Sequence, residues 1–136
     1  ACFVLYSCGE GKKKAEEAPV AQKAQQPVVT EPGKMVYNMF CRSCHQADGT
    51  GSPGMYPPLD GTETVNGDKE HLIRIILEGQ SGPIVVKGEH YNNEMPKMDY
   101  LTDKQIADVL TWVRSNFGND ADPVSESEVA AMRSSL

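Results

Sequence analysis

Cys41-Arg42-Ser43-Cys44-His45 is the stretch that decides how this chain is read. Two thiols three positions apart, followed at once by an imidazole, form the Cys-x-x-Cys-His pattern that attaches a haem covalently. Each thiol adds to one vinyl group, and the histidine that follows lies under the iron as an axial ligand. Competing chemistries ask for more than the chain supplies. A structural zinc site needs four ligands, usually with a second close Cys or His pair. His71 and His90 stand alone, and Cys2 and Cys8 have no histidine near them. A thioredoxin-like redox motif expects a strand before the cysteine pair, whereas the residues before Cys41 follow a helical pattern.

That helix opens at Thr30-Glu31-Pro32-Gly33, with a capping side chain and a proline in the first turn, where its missing N–H is harmless. Val36, Tyr37 and Phe40 then recur at helical spacing into Cys41. A second helix is expected from Asp68 to Leu77, with Leu72, Ile73, Ile76 and Leu77 as its apolar face. A third begins at the capping box Thr102-Asp103-Lys104-Gln105, carries Ile106, Val109, Leu110, Val113 and Phe117 on one face, and stops at Gly118. Between them, Ile84-Val85-Val86 and a Lys87-Gly88 turn fit a small β-hairpin over the haem edge, and fit equally an irregular loop whose apolar residues fill core. Ser125-Glu126-Ser127-Glu128 is another capping box, ahead of a short terminal helix bearing Val129 and Met132. The expected class is all-α around one covalent haem, with residues 30–118 as the haem domain and residues 119–136 as a C-terminal extension.

Composition agrees with a single core. The chain has 136 residues, 39% of them hydrophobic, and a haem adds an apolar body on which a short helical chain can close. No apolar run approaches the ~20 residues of a membrane span. A net charge of −6 argues against nucleic acid and against general attraction to anionic lipid. Residues 1–29 read as a signal-like remnant and linker. Val4-Leu5-Tyr6-Ser7-Cys8 resembles the end of a bacterial lipoprotein signal peptide, which would make Cys8 an acylated cysteine and the only route to a membrane. A Cys2–Cys8 disulfide and two unpaired thiols are the other readings. Residues 9–29, rich in Ala, Gln, Glu and Lys, have linker composition.

Residues 30–118 resemble the class I monohaem cytochrome c family, in its bacterial form with Cys-x-x-Cys-His and a downstream Met-Pro. The resemblance implies one haem c, held through Cys41 and Cys44, with His45 as one iron ligand. It implies that Gly33 and Tyr37 meet Val109 and Trp112 where the first and last helices of the haem domain cross. Tyr56-Pro57-Pro58-Leu59-Asp60-Gly61 matches the family's proline loop. Tyr56, Pro57 and Leu59 are thereby cofactor-binding residues, and the Pro57 carbonyl accepts the free N–H of His45, fixing the imidazole and strengthening it as a donor. Met95, before Pro96 and fifty residues after His45, is the expected sixth ligand. Met98 and His90 stay as rivals, the latter giving a bis-histidine iron, while His71 reads as a partly exposed helix residue.

With both axial positions filled, the resemblance implies electron transport rather than catalysis. Single electrons would pass from a quinol-oxidising complex or a dehydrogenase to a terminal oxidase or reductase of a respiratory chain. The alternatives are the haem subunit of a larger oxidoreductase, or a peroxidase or gas sensor, the last two needing an open iron position. A monomer in the periplasm or an equivalent extracytoplasmic space, with redox proteins as partners, completes the expectation.

Overall fold

The computed structural model describes Ala1 and residues 30–136. The readings of Cys2, Cys8, the signal-like start and the linker lie outside the described residues. Among the described residues, six helices and one two-stranded sheet follow one another: α1 (Thr30–Phe40), α2 (Arg42–His45), α3 (Glu63–Asn66), α4 (Lys69–Glu78), β1 (Ile84–Val86), β2 (Glu89–Tyr91), α5 (Asp103–Arg114) and α6 (Glu126–Ser135). The class is all-α with a small hairpin.

Local chemistry sets most of the boundaries. Thr62 accepts from the Val65 N–H to start α3, and Asp68 accepts from the Glu70 N–H to start α4. Thr102 with Gln105, and Ser125 with Glu128, form reciprocal capping boxes at α5 and α6. The hairpin pairs Ile84 with Tyr91, Val85 with His90 and Val86 with Glu89. Its two-residue turn, Lys87 (φ 50°) and Gly88 (φ 80°), has the left-handed backbone that matches strand twist.

The far end of α5 differs from the expectation. The helix stops at Arg114 rather than running to Gly118. The Ser115 hydroxyl donates to the Thr111 and Trp112 carbonyls and the Asn116 amide donates to the Trp112 carbonyl, so side chains satisfy the acceptors a further turn would have used. Phe117 then turns left-handed (φ 56°) and reaches its ring back, 5.3 Å from Tyr37 and 5.1 Å from Trp112. Periodicity placed Phe117 on the right face of the core but on the wrong backbone.

The core forms where α1 crosses α5. Tyr37 is wholly buried there, its ring 4.9 Å from that of Trp112, and its hydroxyl donates to the Gln46 carbonyl at 2.6 Å. Gly33 permits the crossing: a Cβ at that position would sit 2.6 Å from the Trp112 Cβ and closer still to the Asp108 carbonyl oxygen. Helix α6 buries Val129 and Met132 in the same core. Thr111 and Val124 exchange hydrogen bonds at 3.0 Å, and a Lys69–Glu128 ion pair at 2.6 Å joins α4 to α6.

Two buried polar side chains carry much of the remaining architecture. Arg114, 3% exposed, donates to the carbonyls of Val65, Gly67 and Asp122. Asn119 bonds Leu59, Val113, Gly61 and Asn66, tying the turn after α5 to the end of the proline loop.

Candidate functional site

The short helix α2 is one turn long because the Cys41 carbonyl accepts from the amides of Cys44 (3.2 Å) and His45 (3.0 Å). That turn puts both thiols and the imidazole on the wall of one cavity of about 530 Å³. The volume is within the range of sites that enclose a cofactor-sized ligand. Neither thiol is in a disulfide; Cys41 is buried and Cys44 half-buried. Burial, with the neighbouring Cys44 second, pushes the Cys41 thiol up to about 12, so it is held as the neutral thiol.

His45 Nδ1 lies 2.9 Å from the Pro57 carbonyl oxygen. A carbonyl can only accept, so Nδ1 carries the proton and the lone pair is on Nε2. Burial holds the imidazole below its ordinary pKa, against the opposing pull of the Pro57 carbonyl. The ring is therefore kept neutral, the form that binds a metal. Pro57 is fixed in turn: Ser52 and Tyr56 exchange backbone hydrogen bonds at 2.8 Å. Gly51 packs so close beneath that a Cβ would lie 2.6 Å from the Pro57 oxygen.

The loop after the hairpin lines the same cavity through Asn93, Glu94, Met95, Pro96 and Met98. Gln80 and Met95 exchange backbone bonds (2.9 and 2.8 Å), and the Met98 amide donates to the Ile76 carbonyl at 2.7 Å. At Gly79 (φ 80°) the chain leaves α4 in a left-handed turn, and a Cβ there would come within 2.6 Å of the Met95 carbonyl oxygen. The loop is thereby laid directly against the end of α4.

Tyr56, Pro57, Leu59, Met95 and Met98 all line the cavity. His71 also reaches its wall, at an exposed position on α4, whereas the exposed His90 on β2 does not. Sequence reasoning did not name Thr62, Val65 or Ile75, which also line the cavity. The β-branched run Ile84-Val85-Val86 and the apolar face of α4 were the available signals, and all three residues of β1 do line the cavity.

This donor set fits a covalently bound haem. Two free thiols, a neutral imidazole with its second nitrogen unused, and two thioethers line one largely apolar chamber, with no buried charge among the wall residues. Glu94 alone carries a charge, and it is exposed. Among the described residues no cluster of acidic, His and Cys side chains offers a separate metal site, and no helix is long and apolar enough to cross a membrane.

The sequence model of the family described as "Cytochrome c" matches residues 30–117. Cytochrome c-552 of Thermus thermophilus is 41% identical over 83 residues, which are 58% of this chain and 63% of that protein. The cytochrome c subunit of alcohol dehydrogenase (quinone) of Gluconobacter oxydans is 33% identical over 109 residues, 74% of this chain and 22% of the relative. The fructose dehydrogenase cytochrome subunit of Gluconobacter japonicus is 36% identical over 112 residues, 76% and 22% respectively. The chain thus covers less than two thirds of the length of each of these relatives.

Proposed function

This chain belongs to the cytochrome c family, and on that premise we propose that it is a one-electron carrier whose iron is closed on both faces, by His45 and Met95. When bound, haem c supplies the Fe(III)/Fe(II) couple. The carrying observation is that both proposed ligands are on backbone tied down independently of the cofactor. His45 is fixed by the turn of α2 and the 2.9 Å bond to Pro57, and Met95 by its paired bonds to Gln80.

Cys41 and Cys44 bind the cofactor, and the Pro57 carbonyl orients His45 and raises its donor strength. The hairpin, through Ile84 and Val86, and Leu72, Ile75 and Ile76 of α4 give the chamber apolar walls, which would keep water from the cofactor. Ligands that keep one position in both oxidation states make little rearrangement accompany transfer. A thioether, being a soft and weak donor, favours the reduced state relative to a second imidazole. Met95 is preferred to Met98 because Met98 is buried in the core cluster, whereas Met95 packs against that cluster from its edge. The exposure of His90 outside the cavity counts against a bis-histidine iron. A closed iron leaves no place for peroxide or a gas, so the chain itself performs no catalysis.

Two of the relatives are named as cytochrome subunits of dehydrogenases, which supports a dehydrogenase as electron donor, with a respiratory complex as acceptor. Covalent haem attachment supports an extracytoplasmic location facing a membrane. Acylation of Cys8 would hold the domain there, with residues 9–29 as its tether. The test is Met95→Ala beside Met98→Ala in the haem-loaded protein. Met95→Ala is expected to abolish the ferric sulfur-to-iron charge-transfer band, lower the reduction potential and admit carbon monoxide. The same changes from Met98→Ala, with Met95→Ala silent, would overturn the assignment.

A further inference from the structure

Helix α6 reaches across the molecule to the loop that carries Met95, and one side chain makes the connection. Arg133 Nε donates to Asp103 Oδ1 at 2.7 Å, Nη1 to the Asp99 carbonyl at 2.8 Å and Nη2 to the Leu101 carbonyl at 2.7 Å. Two of the acceptors lie in the four residues, 99–102, that join the Met95–Met98 segment to α5, and the third, Asp103, is the first residue of α5. The guanidinium is partly shielded, with its side chain 34% exposed and that of Asp103 27% exposed. Its planar fork satisfies three acceptors at once, which a lysine ammonium on its flexible stem cannot reproduce.

The ligand loop is anchored at Met95 and downstream of it. At Met95 itself it is tied by the paired backbone bonds to Gln80, two residues past the end of α4. Downstream the chain is tied by the Met98 amide to Ile76 and by the Leu101 amide to the Met98 carbonyl at 3.1 Å. Between Asp99 and Leu101, the loop's end is tied to α6 by the two carbonyl contacts of Arg133. Asp99 is also paired with Lys97 at 2.7 Å, but that pair is exposed and internal to the loop, so it does not tie the loop to anything else. Were the loop that carries Met95 to lift from α4, the segment from Asp99 to Leu101 would be its hinge to α5.

Resting on the assignment of Met95 as ligand, we propose that Arg133 is a positioning residue that holds this loop closed, so that the C-terminal helix sets how often the iron's sixth position opens. The fork ties the hinge to a helix that is itself seated by the wholly buried Val129 and by Met132. Losing it should raise the population of the lifted loop while leaving the closed geometry unchanged.

Imidazole binding to the ferric, haem-loaded protein reads that population, because the ligand must wait for Met95 to leave. Arg133→Gln is expected to raise imidazole affinity about tenfold, the effect of losing one charge-assisted hydrogen bond, with the charge-transfer band and reduction potential of the unliganded protein unchanged. Arg133→Lys should recover little of the loss. Met132→Ala loosens α6 without touching the hinge, and should lower the melting temperature with a much smaller change in imidazole affinity. Met95→Ala should raise the affinity further, and adding Arg133→Gln to it should change nothing more, because no closed loop remains to be held. Unchanged affinity in Arg133→Gln, while Met95→Ala raises it, would overturn the proposal alone. So would equal affinity gains in Arg133→Gln and Met132→Ala at matched loss of stability. A silent Met95→Ala would instead overturn the ligand assignment on which the proposal stands.

Discussion

Replacing Gly33 by alanine pits two known effects against each other at one atom. Alanine is the better helix former, by about 1 kcal/mol in a helix interior, so on an open helix face the change would stabilise. Here the new Cβ would lie 2.6 Å from the Trp112 Cβ and would overlap the Asp108 carbonyl oxygen. Both obstacles belong to α5, one of them to its backbone, and neither can rotate away. Only separation of α1 from α5 relieves the overlap. Overpacking of this kind costs about 1–3 kcal/mol, and rigid backbone puts the crossing at the upper end. The net loss should be about 2 kcal/mol, or roughly 8–16 °C in melting temperature for a domain of this size. Trimming the partner does not help: Trp112→Ala keeps the Cβ that clashes, and itself should remove about 3–5 kcal/mol of packing. Thermal and guanidinium unfolding of the haem-loaded variants measures both. A Gly33→Ala protein as stable as the parent, or more so, would refute the close crossing, as would rescue by Trp112→Ala.

Arg114→Met should cost more than ordinary core trimming, because the carbonyls of Val65, Gly67 and Asp122 would lose their donor. A loss of about 3 kcal/mol or more in guanidinium unfolding is expected, and a loss under about 1 kcal/mol would contradict it. Glu128 is held down to about 2, first by its bond to Lys69 and then by the Ser125 amide, against an ordinary value of 4.5. Its contribution is therefore complete above pH 4.5 and is lost as pH falls through about 2. The Glu128 side chain is 39% exposed, so solvent screens the pair and the energy is small. The stability gap between the parent and Glu128→Gln should close across that window, and a gap independent of pH would contradict the pairing.

The haem motif was legible because its chemistry is local and its spacing short, whereas the proline loop and its bond to His45 were legible only through the family resemblance. The capping boxes at Thr102 and Ser125 were legible, like the motif, from short spacing. Met95 could be singled out from Met98 only through the Met-Pro pattern, and the fold then brought both to the same wall. What stayed hidden depends on contacts distant in sequence. Arg114 drew no reading from the sequence, yet it is buried against carbonyls more than forty residues away. Nothing around Asn119 indicated that its amide would tie two loops together. Phe117 misled the helix boundary because a ring returning from a left-handed turn fills the same space as one on a helix face. Arg133 showed no pattern at all, since the acceptors that give it meaning are two backbone carbonyls and one carboxylate about thirty residues upstream.

The central claim is an iron closed by one imidazole and one thioether that both stay bound as the electron comes and goes. X-ray absorption at the iron edge of the haem-loaded protein, oxidised and then reduced, tests it most directly. A single sulfur neighbour beside nitrogen neighbours, kept at nearly the same distance in both states, is the expected result. A spectrum without a sulfur neighbour, or one in which the sulfur is present in only one oxidation state, would contradict the account.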